Sequence, residues 1–536
     1  MSAPHPAVAR AQALFRSGKP RDAELTLLQA LDKEQKDLTI LNALAAFYLE
    51  TSRLPDCARV LSRVIELAPT AQDAYHTLAA VLDRLGRYDE LTELYARLVA
   101  NRPGDAVAHY NLACCLRRDG FPERALEMHQ RAVALGLPNA EEAWTNIGVL
   151  QGELNRQAEA REALEKAIAI NPRWLPALYN LGLWHEEHGD LPTAIQTFER
   201  VLALDPEYHT ALVRLAHAKQ IDRRDDPLVE RLLRLVERPN LAHGIRENVH
   251  FALAKALDDC GSFGEAWSNI TTANALSRVR MKPYDRRDAE TQFARIRAGF
   301  PSATAVPPVA DTRIVFLCGM YRSGTTLLEQ MLAAHPRFVA GGEIGYFRSR
   351  VNGVLNATPD QLATIGRGYL EQLVKRFPDD HIVIDKQPDN VLLIGLLAQL
   401  FPNARFLTTA RARRDVALSI YFQQLDESLP WATDLGDIVH QIAERDRQIE
   451  HWRMRFGDRM MEVDYAALVD DAPQELRRVC AFLGVEWREE MLSFYATENR
   501  VRTASVWQVR QPLYRASLDR SRHYAQQLDQ SGAFST

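Results

Sequence analysis

Residues 313–326 read RIVFLCGMYRSGTT, and the run LLEQMLAAHP comes directly after. Five apolar or β-branched residues in a row, then a turn, then apolar residues at helical spacing: the pattern predicts a strand, a tight corner and a helix. Gly319 and Gly324 bracket the corner, and glycine permits tight turning and close approach of backbone to a ligand. The amides of residues 322–326 then face outward at the positive end of the helix, which favours an anion. Ser323, Thr325 and Thr326 bring hydroxyl groups and Arg322 brings a cation. The stretch therefore predicts an anion cradle.

The chain around it fits that reading. PSATAVPPVADT (301–312) has linker composition, and beyond it lie short β-branched runs: RFVAGG, HIVIDK, ARFLTTA and RMMEVDY. Helical stretches separate them, as in a parallel sheet with crossover helices. Ligands of such sheets bind at the carboxyl ends of the strands, so the residue after each run is a candidate. The second run delivers Glu343, a candidate general base, and the third delivers Lys386, a cation suited to charge on a leaving group. The fourth ends at Arg411, with Ser419 eight residues on. An arginine and a serine so placed can converge on a second anion. Arg413 and Arg414 are read as a solvated basic turn, and His335, in AAHP, as a turn residue.

The frame of the cradle is close to the phosphate loop of nucleotide hydrolases, but Thr325 stands where that loop requires lysine. That lysine reaches the β- and γ-phosphates and the next hydroxyl holds magnesium, so a triphosphate is not the expected ligand. YRSGTTLLEQMLAAHP resembles instead the 5′-phosphosulfate loop of sulfotransferases, and looks like that of tyrosylprotein sulfotransferases and their bacterial relatives. The resemblance covers roughly 311–525. It implies 3′-phosphoadenosine 5′-phosphosulfate (PAPS) as sulfuryl donor, with no metal required. Arg322, Ser323, Gly324, Thr325 and Thr326 then hold the 5′ end, and Arg411 and Ser419 the 3′-phosphate. Glu343 is implied as base, with Lys386, Arg322 and Ser505 also catalytic. Ser505, in TASVWQVRQPLY (503–514), matches a serine that contacts the transferring group, and Arg520 a donor-binding lysine. Gln423 departs from the pattern, which has an arginine there.

The first 210 residues have another character. Prolines at 69, 103, 138, 172 and 206 step by 34, 35, 34 and 34, and Gly86, Gly120, Asn155 and Gly189 fall in phase between them. Each period reads as two amphipathic helices divided by a turn and ended by proline. The stretch resembles tetratricopeptide repeats over about 7–208, and VHFALAKALDDCGSFGEAWSNITTANAL (249–276) reads as an outlying repeat. The expected architecture is multidomain: an all-α repeat solenoid over 1–220, a helical region with a repeat-like hairpin over 221–300, a linker over 301–312, and an α/β parallel-sheet sulfotransferase domain over 313–536. A solenoid of this kind offers an extended concave groove, suited to a protein or peptide.

A net charge of −5 argues against a partner held by bulk attraction to nucleic acid. No run approaches the ~20 apolar residues of a membrane helix, and the longest, VLLIGLLAQLF (391–401), reads as buried. The N-terminus lacks a signal-peptide pattern, and the six cysteines form no CxxC pair. They read as core fillers, and the expected setting is the reducing cytoplasm. The residues leave the acceptor hydroxyl open among protein tyrosine, glycan and small molecule, and they leave open whether two copies pair. Two other readings stand beside the enzyme: a repeat scaffold with a vestigial nucleotide domain, and a phosphotransferase.

Overall fold

The computed structural model describes residues 5–299, 314–347, 357–496, 509, 512, 513, 515 and 518–534. The expected linker, 301–312, lies outside these residues. The chain divides into two compact units, Met1–Leu181 and Gly182–Thr536.

In the first unit the repeat resolves into helix pairs: Pro6–Arg16 with Pro20–Lys33, Leu38–Glu50 with Leu54–Leu67, Gln72–Arg84 with Tyr88–Asn101, Ala106–Arg118 with Pro122–Ala134, and Ala140–Glu153 with Gln157–Ile170. The residue that turns each pair takes positive φ: Gly18 (77°), Ser52 (56°), Gly86 (67°), Gly120 (82°) and Asn155 (63°). Glycine and asparagine occupy this region at low steric cost, which explains the phase of the glycines. Gly18 and Ser52 carry the same phase into the first two pairs, where the sequence pattern is weaker. Within the last of these pairs Gly148 is required for packing, because a Cβ there would lie 2.8 Å from Leu164 Cγ.

The second unit begins with helices that include Leu191–Leu204, His209–Ala218 and Pro227–Val236, with the charged stretch QIDRRDDP (220–227) between the last two. His243–Asp259 and Phe263–Arg280 then form the helical hairpin expected near 249–276, turned at Gly261 (φ 77°). The sheet comes next. Its strands are β1 (Ile314–Gly319), β2 (Phe338–Gly342), β3 (Ile382–Lys386), β4 (Arg405–Ala410) and β5 (Met460–Asp464). They lie in the order β2-β3-β1-β4-β5, every pairing parallel. All five predicted runs are strands.

β1 is buried along its whole length, as a central strand must be. Its side chains alternate between two cores. Ile314, Phe316 and Cys318 join Tyr369, Phe401, Phe406 and Trp452 on one face, where the rings of Phe316 and Phe406 stack at 5.4 Å. Val315 and Leu317 join Leu328, Met331, Leu407 and Val463 on the other. The chain leaves β1 toward β2 and β3 on one side and β4 and β5 on the other. The carboxyl ends of β1 and β4 therefore flank a topological switch point, where such sheets bind ligands. The run at 391–401 is buried as expected, as the helix Ile394–Leu400 after a 3₁₀ turn. Among the described residues no helix is long and apolar enough to cross a membrane. All six cysteines are free thiols. The core role expected of them holds for Cys57, Cys115, Cys318 and Cys480; Cys260 is half-buried and Cys114 lies exposed on a helix face.

The helical hairpin is bonded into the sheet region. Asp258 accepts from Arg520 Nη2 at 2.7 Å and from the hydroxyl of fully buried Tyr524 at 2.5 Å. Asn274 Nδ2 donates to the carbonyl of Tyr421 at 2.8 Å, just beyond Ser419. Asp258→Ala is expected to lower stability by about 2–3 kcal/mol, since it strands a cation and a buried hydroxyl together. Urea unfolding checks this, and a change under about 0.5 kcal/mol would show that the contacts contribute nothing measurable.

Candidate active site

The cradle forms at the predicted corner. Gly319 (φ 146°), Arg322 (66°) and Gly324 (107°) all take positive φ, and the helix Thr325–Ala333 starts immediately after Gly324. Positive φ at arginine is uncommon and costs energy, which is typical of a loop shaped for a ligand. Ser323 Oγ donates to Met320 O and lies 2.6 Å from Thr409 Oγ1, locking the loop to β4. Tyr321 donates its hydroxyl to Asp389 at 2.9 Å, and Arg445 pairs with the same carboxylate at 2.6 Å. Thus the loop is held from both sides before any ligand arrives.

β4 and β5 supply the next layer. Arg411, just past β4, donates from Nη1 to the carbonyl of Arg322 at 3.1 Å. Its guanidinium lies 4.6 Å over the ring of Tyr465, the residue after β5. Gly324 packs on that same ring, where a Cβ would stand 2.4 Å from Tyr465 Cδ2. Arg322 Nε donates to Ser419 Oγ at 3.0 Å. Arg322, Arg411, Gly324, Thr325 and Thr326 line one cavity with an apolar wall that includes Val469 and Phe494. Ser419 is joined to this group through Arg322. A site with two arginines, helix-start amides and an apolar wall suits an anion attached to an aromatic body.

β2 and β3 supply the chemistry beside it. Lys386 is fully buried and pairs with Glu343 at 2.7 Å, while 39% of the Glu343 side chain stays exposed. Lys386 is in register with Leu317, two residues before Gly319. Behind it Asp385 accepts from Tyr369 Oη at 2.6 Å and Asn390 Nδ2 at 3.2 Å. Burial pushes the Asp385 carboxyl up to about 6, and burial beside that carboxylate holds the Tyr369 hydroxyl well above its ordinary range.

Against expectation, Arg520 is not at the cavity; it pairs with Asp258 and stacks over Phe422 at 4.7 Å. Ser505 lies outside the described residues. Arg413 and Arg414 open the helix Arg413–Tyr421 rather than forming a turn, but they are solvated as expected and pair with Asp446 and Asp529, both at 2.7 Å. His335 is a turn residue: Nδ1 accepts from the amide of Arg337 and Nε2 meets Glu486 O. Tyr465, Glu329 and Arg445 are part of the site and escaped the sequence reading. Only Glu329 left a signal, as the one charge in the apolar helix TTLLEQML.

The fold and cradle define a class, the parallel-sheet α/β proteins with an anion-binding strand–loop–helix corner. The family comparison narrows it. Residues 315–489 match the sulfotransferase family, and residues 8–72, 141–173 and 176–208 match tetratricopeptide repeats. The chain thus carries a sulfotransferase-family domain behind tetratricopeptide repeats. An uncharacterized protein of Aquifex aeolicus is 27% identical over 410 residues, covering 70% of this chain and 52% of that protein. Protein-tyrosine sulfotransferase 1 of Danio rerio is 25% identical over 219 residues, covering 37% of this chain and 61% of that one. The chain therefore spans only 52% and 61% of the lengths of these relatives. Among solved structures, the tetratricopeptide protein YrrB aligns at 20% identity and TM-score 0.31, covering 35% of this chain and 95% of that one.

Proposed function

We propose that this protein transfers a sulfuryl group from PAPS to an acceptor hydroxyl, and that the repeat groove holds the acceptor or a partner protein. One observation carries the reading: a lysine-free anion cradle shares its cavity with two arginines, beside a buried lysine paired to an exposed glutamate. The cavity residues fit the donor. Helix-start amides, Thr325, Thr326 and Arg322 would hold its 5′ end, and Arg411 with Ser419 its 3′-phosphate. When bound, the donor supplies a sulfuryl group on a phosphate leaving group. Glu343 takes the acceptor proton, and its exposure gives the acceptor access. Lys386 places a cation where charge develops on the leaving oxygen. No resident metal enters this scheme. Protein tyrosine, the acceptor in the printed name of the Danio rerio relative, is the acceptor we place first. The reducing cytoplasm expected from the scattered cysteines remains the proposed setting.

Calorimetry without metal tests the donor. 3′-Phosphoadenosine 5′-phosphate is expected to bind more tightly than ADP or ATP, and Arg411→Ala to weaken it by about 10- to 100-fold, the usual loss for a charge-assisted phosphate contact. Equal affinity for ADP would sink the assignment, and magnesium-dependent turnover of ATP would replace it with a phosphotransferase.

A further inference from the structure

Glu329 is a buried carboxyl with no part in the proposed transfer. It lies on the helix Thr325–Ala333, three and four residues after Thr326 and Thr325, and so one turn below the cradle hydroxyls on the same helix face. Only 3% of it is exposed, so it cannot itself meet an acceptor. Its Oε1 accepts from the backbone amide of Gly342 at 2.8 Å, and Gly342 immediately precedes Glu343.

The strand explains why that amide needs an acceptor. The pairing of β2 with β3 skips a residue: Ala340 is opposite Ile384 and Gly342 opposite Asp385. Gly341 is the extra residue, pressed so close that a Cβ would lie 2.5 Å from Ile384 O. Gly342 then takes φ 64° and the chain turns toward Glu343. A bulge disrupts the ladder and re-aims the residues just beyond it. Two adjacent glycines at such a bend give the backbone little stiffness of its own. The carboxyl of Glu329 is the group that ties it down.

We propose that Glu329 is a positioning residue that holds Glu343 against Lys386 through the amide of Gly342. The proposal rests on Glu343 being the base. It links the two halves of the site: the helix whose first turn would seat the donor also fixes the turn that carries the base. Glu343 pairs with the cation of Lys386 at 2.7 Å, and the charge of that cation also reaches the Glu329 carboxyl. Burial pushes the Glu329 carboxyl up to about 7 while Lys386 opposes the rise. A protonated carboxyl keeps a carbonyl oxygen that accepts from an amide, so the tie does not require charge. Glutamine should therefore replace it.

Three variants of the full chain test this: Glu329→Ala, Glu329→Gln and Glu329→Met, the last keeping volume while removing the acceptor should alanine fail to fold. Turnover, affinity for 3′-phosphoadenosine 5′-phosphate, and exchange of the Gly342 amide are measured for each. Ala and Met are expected to lower kcat about 10- to 100-fold, the scale of a misplaced reacting group. Bisphosphate affinity should stay within about 2-fold, and the Gly342 amide should exchange faster. Gln should restore turnover to within about 3-fold and restore amide protection. Unchanged kcat in Met, no rescue by Gln, or a loss of donor affinity equal to the loss of kcat would overturn the proposal. If the parent protein transfers no sulfuryl group, the function reading fails, and amide exchange still decides whether Glu329 holds the turn.

Discussion

Glu343→Ala is expected to lower turnover by about 10²- to 10⁴-fold, the usual contribution of a general base, while leaving bisphosphate affinity unchanged. The geometry separates the two effects. Glu343 stands after β2 and pairs with Lys386 at 2.7 Å, and it does not line the cavity formed by Arg322, Arg411 and the helix start. Removing it also frees the buried ammonium of Lys386 from its partner. Glu343→Gln keeps a hydrogen-bond acceptor for that ammonium and still cannot take a proton. Both variants should therefore fall by similar factors in single-turnover assays. A Gln variant with parental turnover would remove Glu343 from proton transfer and leave it as the partner of Lys386 alone.

Lys386→Met is expected to lower turnover by about 10²- to 10³-fold, the scale seen when one donor to a developing oxyanion is removed. It should also change how stability depends on pH. Glu329 and Asp385 are held up by burial, to about 7 and about 6, and in both Lys386 opposes the rise. A carboxyl whose folded pKa lies above its unfolded value contributes stability below the unfolded pKa, and that stability is lost as pH rises through the folded one. Without Lys386 both values climb further. The variant should therefore lie close to its parent near about pH 5 and fall progressively below it between about pH 6 and pH 9. Melting curves across that range check the sign. A gap that narrows as pH rises would show that Lys386 does not hold these carboxyls down.

The strands and the cradle were legible because each is a local pattern. Five apolar or β-branched runs became five strands, and the inner ones, buried along most of their length, advertise themselves in composition. The cradle was legible from Gly319 and Gly324, because the backbone there needs positive φ that few other residues tolerate. The repeat was legible from turn residues every 34 or 35 positions, and the structure puts the same left-handed turn at Gly18 and Ser52 as at Gly86. Arg411 could be named because strand ends point at the ligand face whatever the strand order, and Ser419 because its spacing from Arg411 resembles the family's 3′-phosphate motif. Tyr465 was not legible. An aromatic residue after a strand is commonplace, and only packing sets it under Arg411 and against Gly324. Glu329 was passed over because a glutamate in a helix usually faces water.

By itself, then, the sequence determined the two kinds of architecture, the anion cradle and the residues presented at the strand ends, because periodicity, turn chemistry and strand composition act over a few neighbouring positions. The tertiary structure decided which of them meet. The order β2-β3-β1-β4-β5 brings Lys386 to Glu343 across 43 positions and Arg322 to Ser419 across 97. Arg520 is drawn to Asp258 across 262 positions. Pairings at such separations are set by the packing of whole helices and strands, and no single segment carries a record of its neighbour.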